Sequence, residues 1–225
     1  MEAKRITLFM GHYGSGKTFS AVNFALNLAR KGKPVSIYDL DIVNPYFRTV
    51  DAKSMLDKNG VELVVSPFAE TNVDIPAMNS ASYKMIDDTS RYAVVDVGGD
   101  DRGALALGRF SDKIKQEGNY DCLFVINKYR PETRDVEGVL QIQREIEFAG
   151  KIPFTGIVNN CNLGLETTVD DIYSGIEFCK LISKELNLPL KFSSVRRDLM
   201  SEVNDDLLKN VNILPVEPIK YGDWL

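Results

Sequence analysis

Residues 11–18 read Gly11-His12-Tyr13-Gly14-Ser15-Gly16-Lys17-Thr18, which satisfies the pattern G-x-x-x-x-G-K-[ST]. An apolar run at residues 6–10 precedes this stretch, and a helical pattern at residues 18–30 follows it. Glycines allow backbone N–H groups to turn toward phosphate oxygens, and the N-terminus of a helix adds the positive end of its dipole. The stretch therefore predicts a phosphate-binding loop between a strand and a helix.

The side chains at the end of this loop predict a nucleoside triphosphate and Mg²⁺ as its ligands. Lys17 is expected to reach the β- and γ-phosphates, and the Thr18 hydroxyl is expected to ligate Mg²⁺. The nucleotide-binding residues predicted in this stretch are Gly11, Gly14, Ser15, Gly16, Lys17, Thr18 and Phe19. His12 is the only histidine of the chain. We interpret it as a side chain that packs or faces solvent, because phosphoryl transfer does not need a histidine.

The rest of the chain alternates short apolar runs with longer helical patterns. The runs lack the polar alternation of a sheet with one wet face, so they read as buried strands, at residues 6–10, 35–38, 61–65, 92–97, 122–126, 154–158 and 190–195. Helical patterns cover residues 18–30, 103–116, 134–148 and 168–186. This order predicts an α/β phosphate-loop fold, with a mostly parallel, twisted sheet of about seven strands and helices on both faces. We predict one domain over residues 1–225, with a loop and a short helix at 69–90 and an edge segment at 213–216.

The composition disfavours several functional classes. Lys plus Arg is 27 and Asp plus Glu is 32, giving a formal net charge of −5, which argues against general affinity for nucleic acid or anionic lipid. The cysteines, Cys122, Cys161 and Cys179, are far apart, so they indicate neither a disulfide framework nor a cysteine-based metal site. We see neither a secretion signal nor an apolar run of ~20 residues, so we expect a soluble, cytoplasmic protein.

Two carboxylates, Asp39 and Asp41, stand at the end of the second predicted strand. Together with the phosphate loop and the strand ends described below, this segment resembles the MinD/ParA-type ATPases, whose wider relatives include the nitrogenase iron protein and metal-insertion ATPases. The resemblance implies that Asp39 supports Mg²⁺ and that Asp41 orients the attacking water. The residues alone also allow a plain turn, in which Asp41 and Asn44 cap the loop and Pro45 ends the strand.

The strand at residues 92–97 runs into Asp96-Val97-Gly98-Gly99, a D-x-x-G sequence. It resembles the Walker B and switch II element of the same family. The resemblance implies that Asp96 holds Mg²⁺ through water and that the Gly99 amide meets the γ-phosphate. A buried strand that ends in an Asp-Gly turn without any such role is the alternative.

The nucleotide base is assigned from the strand end at residues 157–162. The family resemblance implies that Asn159 contacts adenine. Asn162 stands where a guanine motif would place the carboxylate that accepts from guanine N1 and N2, so we expect ATP rather than GTP. Asn127-Lys128 is not a guanine motif either, because its fourth residue is Arg130. A second base-side contact is implied near residues 195–198, with no residue assigned.

The phosphate loop departs from the family pattern K-G-G-x-G-K-[ST]. His12 occupies the position of the signature lysine, which in the family crosses to the partner subunit's nucleotide in an ATP-bound dimer. We do not expect His12 to replace it, since histidine is mostly neutral at cytoplasmic pH. The argument for the nucleotide-dependent homodimer that the resemblance implies is therefore weaker. Pro215, Pro218 and Asp223 interrupt the C-terminal stretch, so we expect no membrane-docking helix.

The function expected from these features is a slow ATPase that acts as a nucleotide switch on a partner. An ATP-dependent small-molecule kinase or ligase of the dethiobiotin-synthetase type is the alternative, with an acceptor pocket from residues 72–83 and 130–134. A non-hydrolysing ATP-binding scaffold is a third interpretation. Side chains that could contact a partner, or simply serve the core and the solvated surface, are Tyr46, Phe47, Arg48, Tyr129, Arg130, Arg134, Arg196 and Arg197.

Overall fold

The computed structural model describes residues 2–41, 49–65, 80–99, 101–203 and 210–219. They form an eight-stranded sheet in the order β3-β2-β4-β1-β5-β6-β7-β8. Every described strand pair is parallel. The strands are β1 (Ile6–Met10), β2 (Val35–Leu40), β3 (Glu62–Val65), β4 (Tyr92–Val97), β5 (Tyr120–Ile126), β6 (Gly156–Asn159), β7 (Leu190–Arg196) and β8 (Ile213–Val216). The predicted parallel α/β fold is confirmed, and the edge segment at residues 213–216 is the eighth strand.

Helices join the strands and cover the sheet. They are α1 (Lys17–Arg30), α2 (Lys53–Lys58), α3 (Ser80–Asp87), α4 (Asp101–Gly108), α5 (Ser111–Glu117), α6 (Val136–Gly150) and α7 (Val169–Leu186). Asp135 caps α6 by accepting from the Gly138 N–H at 2.9 Å, and a capping box at Thr168 and Asp171 begins α7. Among the residues that the structure describes, no helix has the length and apolar character needed to cross a bilayer.

The single helix predicted at residues 103–116 is wrong, because the chain breaks there into α4 and α5. Gly108 ends α4 where it lies close to the Ala149 carbonyl of α6. Phe110, between the two helices, is fully buried and packs edge-on against Tyr83 with ring centroids 5.0 Å apart. The helix period alone could not show that burying this ring requires a break.

The central strand β1 explains why its sequence is apolar throughout. Ile6, Leu8 and Met10 pack into a cluster on one face of the sheet, while Phe9 packs into the cluster on the other face. On that second face, Phe9 meets Phe24 of α1 at 5.4 Å between centroids. Because both faces are covered, the strand has no wet face and no polar alternation.

The order of the strands positions the site. β1 lies between β4 and β5, so the chain leaves the carboxyl end of β1 where the connections diverge to opposite sides. Ligands of open α/β sheets bind in the crevice at such a switch point. At the far side, β8 is held against α1, because the Asn23 side chain exchanges two hydrogen bonds with the Glu217 backbone, at 2.8 and 3.2 Å.

Candidate functional site

The loop after β1 has the backbone that its glycines predict. Gly14 and Gly16 adopt φ values of 76° and 85°, in the left-handed region that L side chains rarely occupy. Gly16 immediately precedes α1, and a β-carbon there would collide with the side-chain amide of Asn160. The loop therefore turns directly into the N-terminus of α1 and leaves no room for a side chain at Gly16.

Side chains from the neighbouring strand ends fasten this loop in place. The Asn160 amide, after β6, donates to the Ser15 carbonyl at 2.8 Å. The Arg130 Nε, after β5, donates to the Gly14 carbonyl at 2.8 Å. Within the loop, the Ser15 N–H donates to the His12 carbonyl at 3.1 Å. Two of the carbonyls are thus held by side chains from outside the loop, which fixes its shape.

Lys17 and Gly99, assigned separately from the sequence, come together. The Lys17 side chain is almost buried, with 6% exposure, and its Nζ donates to the His12 carbonyl at 3.3 Å. A β-carbon added at Gly99 would run into the Lys17 Nζ and the backbone of Tyr13. The start of the D-x-x-G turn therefore packs directly against the lysine of the phosphate loop.

The predicted metal-site carboxylates lie side by side at the carboxyl ends of their strands. Asp39 of β2 pairs in register with Asp96 of β4, and their exposures are 3% and 1%. Asp39 Oδ1 accepts the backbone N–H of Asp41 at 3.0 Å. Asp96 Oδ2 accepts the Thr49 hydroxyl at 3.0 Å. Three acidic side chains, those of Asp39, Asp41 and Asp96, thus lie at the carboxyl ends of the adjacent strands β2 and β4.

Burial raises the pKa of Asp96 to about 6. The Thr18 hydroxyl and the Lys17 ammonium oppose this increase in the pKa, while the charge of Asp41 adds to it. A carboxylate in such a place is costly in its ionised form unless a cation or further donors compensate it. Asp96 therefore keeps its proton to a higher pH than an ordinary aspartate, up to about pH 6.

The oxygen atoms at and around Asp96 are suitable ligands for a hard divalent cation such as Mg²⁺. Asp96 Oδ1 is buried, and among the described residues no group donates a hydrogen bond to it. The Thr18 hydroxyl lies close enough to influence the Asp96 carboxylate. Carboxylate, hydroxyl and water oxygens are the ligands that Mg²⁺ prefers. Within the described ranges, no group of three His, Cys, Asp or Glu side chains could hold a metal ion by itself. Thr18, Asp39 and Asp96 remain the predicted metal-site residues.

Replacing Asp96 by Asn is expected to change how the stability of the nucleotide-free protein depends on pH. The pKa of Asp96 rises from 3.8 to about 6 on folding, so its stabilising contribution is complete below pH ~4 and is lost as the pH passes about 6. The amide cannot ionise. The free energy of unfolding of Asp96→Asn relative to wild type should therefore grow by about 2–3 kcal/mol between pH 4 and pH 8. Urea denaturation with a chelator present would measure it, and parallel pH profiles for the two proteins would contradict it.

A cavity of about 510 Å³ runs from the phosphate loop along the carboxyl ends of β6, β7 and β8. Its near end is lined by Gly14, Gly16, Lys17, Thr18 and Asp41. Its far end, at the carboxyl ends of β7 and β8, is lined by Ser194, Val216, Pro218 and Ile219, and Phe19 of α1 lines the cavity close to Gly16. Asn127, Arg130, Asn160, Asn162 and Arg196 are among the polar residues along its length. The volume lies in the range of small-molecule and cofactor sites.

The structure does not bring Asn159, the predicted base contact, to this cavity. Asn159 is 1% exposed, its Nδ2 donates to the Ser193 hydroxyl at 2.8 Å, and its Oδ1 accepts the Cys161 N–H at 3.0 Å. The next residue, Asn160, lines the cavity instead. Sequence reasoning missed Asn160 and Ser194, although both lie close to the carboxyl ends of strands, where ligand contacts are expected.

The remaining candidates for partner contact are distributed unevenly. Tyr46, Phe47 and Arg48 lie outside the described residues, as do residues 72–79 of the suggested acceptor pocket. Tyr129 is half-buried, and its hydroxyl donates to Asp171 Oδ1 at 2.5 Å. The ion pairs of the arginines join Arg134 to Asp135, Arg196 to Asp198 and Arg197 to Glu217.

The His12 ring contacts Glu132 and the backbone of its own loop. Its Nδ1 lies 3.6 Å from Glu132 Oε2 and 3.0 Å from the Tyr13 carbonyl. His12 is not among the residues that line the cavity. The ring is therefore turned toward Glu132 and away from the described wall of the cavity.

Comparisons with known proteins agree with this architecture. The family model of the CobQ/CobB/MinD/ParA nucleotide binding domain matches residues 6–166. FtsY from Mycoplasma mycoides is similar in structure, with a TM-score of 0.59 and 22% identity over 87% of this chain and 62% of that chain. FtsY from Thermotoga maritima is similar in structure as well, with a TM-score of 0.60 and 19% identity over 86% of this chain and 62% of that chain. The signal recognition particle 54 kDa protein from Aeropyrum pernix K1, in complex with GDP, has a TM-score of 0.57 and 16% identity over 85% of this chain and 41% of that chain. The chain thus spans less than two thirds of these proteins. A comparison with curated protein sequences finds no match.

Proposed function

This chain belongs to the CobQ/CobB/MinD/ParA family of nucleotide-binding domains, and from that premise we propose that it binds MgATP and hydrolyses it slowly as a switch. The observation that carries the proposal is the continuous cavity of about 510 Å³ from the phosphate loop to β8. A nucleotide would place its phosphates on Gly14–Thr18 and its base toward Ser194 and Pro218. Both its anionic and its aromatic part then meet suitable surroundings.

The far end of the cavity supports adenine over guanine. Asp41, at the phosphate end, is the only acidic residue in the described lining. Guanine presents donors at N1 and N2 that a carboxylate would satisfy, whereas adenine needs no negative charge. Ser194 Oγ is buried and makes no hydrogen bond within the described chain, so it is available to donate or accept. Val216, Pro218 and Ile219 offer apolar surface to the base.

The near end supports hydrolysis by water in line with the γ-phosphate. Lys17 would bind the β- and γ-phosphates, and Asp41, which lines the cavity beside it, would orient the water. The hydrogen bond from the Asp41 N–H to Asp39 holds Asp41 at this place. A bound Mg²⁺, held by Thr18 and Asp96 directly or through water, would neutralise phosphate charge.

A switch follows from the positions of Asp41 and Gly99. Asp41 directly precedes residues 42–48, and Gly99 stands between β4 and α4. Asp41 and Gly99 both lie at the phosphate end, so contacts with a γ-phosphate would hold the segments that follow them, and hydrolysis would release these segments. The change in these segments would alter affinity for a partner, either a second copy of the chain or another protein.

Release of free phosphate from MgATP and MgGTP, at several protein concentrations, tests this function. We expect release that is selective for ATP and absent from Lys17→Ala, and a rate per molecule that rises with concentration if active dimers form. Equal or faster release from GTP would overturn the assignment of adenine. ADP formation that requires an added small-molecule acceptor, without matching free phosphate, would replace the switch by a kinase or ligase.

A further inference from the structure

Arg130 lies across the phosphate loop. Its Nε donates to the Gly14 carbonyl at 2.8 Å, and it lines the cavity. A β-carbon at Gly14 would lie 3.2 Å from Arg130 Nε, 3.5 Å from Cζ and 3.6 Å from Cδ. The guanidinium group therefore packs directly on the backbone of Gly14. The direction of this side chain, which the sequence leaves open, is fixed by the structure.

The two terminal nitrogens of Arg130 remain available to a ligand. Within the described residues, neither Nη1 nor Nη2 of Arg130 makes a hydrogen bond or an ion pair. The other arginine of the cavity, Arg196, is already engaged: its Nη1 donates to the Gly164 and Leu165 carbonyls and its Nε to Asp198. Two cavity arginines thus differ sharply in their capacity to bind an anion.

The phosphate end of the cavity lacks a second cation from its own loop. Lys17 supplies one positive charge there, and His12 is turned toward Glu132. A bound nucleoside triphosphate carries several negative charges in a partly closed site, where each uncompensated charge is costly. Arg130 is the cationic side chain of the described lining that both reaches this end and has unused donors.

We propose that Arg130 is the second phosphate-binding cation of this site, contacting the polyphosphate chain of a nucleoside di- or triphosphate. The proposal rests on the proposed nucleotide-binding function. The Nε bond to Gly14 orients the planar group, and Nη1 and Nη2 donate to phosphate oxygens in the fork geometry that arginine offers. Gly14, which adopts a positive φ of 76°, also leaves space for the guanidinium group to lie on its backbone.

Equilibrium titration with MgADP and a nonhydrolysable MgATP analogue tests this assignment. Arg130→Gln removes the charge but keeps an amide donor that could still reach the Gly14 carbonyl, whereas Arg130→Lys keeps the charge and loses the fork. We expect Arg130→Gln to weaken the binding of both nucleotides by roughly 10- to 100-fold, as for the loss of a charge-assisted hydrogen bond. Arg130→Lys should lose less affinity. Arg144→Ala is the matched control, because that arginine is an exposed residue of α6 and does not line the cavity. Its affinity should stay within about twofold of wild type.

The dependence of the dissociation constant on salt separates a charge contact from mere support of the loop. Added salt should weaken binding to wild type more than binding to Arg130→Gln, since one screened attraction is gone from the variant. Thermal unfolding would establish that each variant is folded. The role of Arg130 would be overturned if Arg130→Gln bound the nucleotides with wild-type affinity. It would also be overturned if Arg130→Gln and Arg130→Lys lost equal affinity and kept the wild-type salt dependence. In both cases nucleotide binding by the wild-type protein would stand. Failure of wild type to bind either nucleotide would instead overturn the proposed function and this inference with it.

Discussion

Lys17→Ala should lower the rate of phosphate release from MgATP by at least about 100-fold and weaken nucleotide binding. The Lys17 ammonium group is nearly buried between the His12 carbonyl and Gly99, at the phosphate end of the cavity. A charge held in this way would meet the γ-phosphate of the proposed substrate without reorganisation, and removing one such electrostatic contact typically costs about 10²–10³ in rate. Single-turnover assays with saturating enzyme would measure the rate separately from the affinity.

Lys31→Ala is the matched control for this substitution. Lys31 is an exposed residue that directly follows α1, whereas Lys17 begins the same helix. Its loss should leave both rate and affinity unchanged. Phosphate release at the wild-type rate from Lys17→Ala would show that the hydrolysis does not take place at the phosphate loop, and the mechanism proposed for Asp41 would fall as well.

Asp41→Asn should keep MgATP binding while lowering the hydrolysis rate by about 10²–10⁴, the range attributed to a positioned proton acceptor. The amide is nearly isosteric with the carboxylate, so the backbone N–H of residue 41 can still donate to Asp39. The change therefore removes the capacity to accept a proton from water while keeping the local backbone, and it also removes the Asp41 charge that raises the pKa of Asp96. Titration of the nonhydrolysable analogue and a phosphate-release assay would give the two quantities separately.

Asp170→Asn provides the comparison for Asp41→Asn, because Asp170 is an exposed carboxylate in the first turn of α7, away from the cavity lining. It should behave as wild type in both assays. Unchanged turnover in Asp41→Asn would remove Asp41 from the mechanism. Parallel loss of binding and turnover would instead indicate that Asp41 acts on the bound nucleotide in its ground state.

The parts of the fold that sequence predicts well depend on local patterns. The apolar run of β1 follows from burial on both sheet faces, and the loop after it follows from glycine spacing. The break at Phe110 was not predictable, because it depends on where that ring is buried in the folded core. Likewise, β8 required knowing that residues 213–216 pair with β7.

The assignment of the base contact to Asn159 shows where sequence reasoning about the site stops. Side chains alternate across a strand, so choosing between Asn159 and Asn160 requires the local register. The pairing of β6 with β7 shifts its register between Ile157 and Val158. Such an irregularity leaves no mark in the residue pattern. Arg130 is a similar case, since its direction depends on contact with a glycine far away in the chain.

The hydrogen bonds between Asn23 and Glu217 join α1, which is made early in synthesis, to a segment that is made late. The phosphate loop is made early in synthesis, but residues 216–219, which close the far end, follow roughly 200 residues later. Until residues 216–219 are made, the far end of the cavity lacks one of its walls. For the proposed nucleotide, the base-side end of the cavity would therefore be complete only after residues 216–219 have docked beside α1.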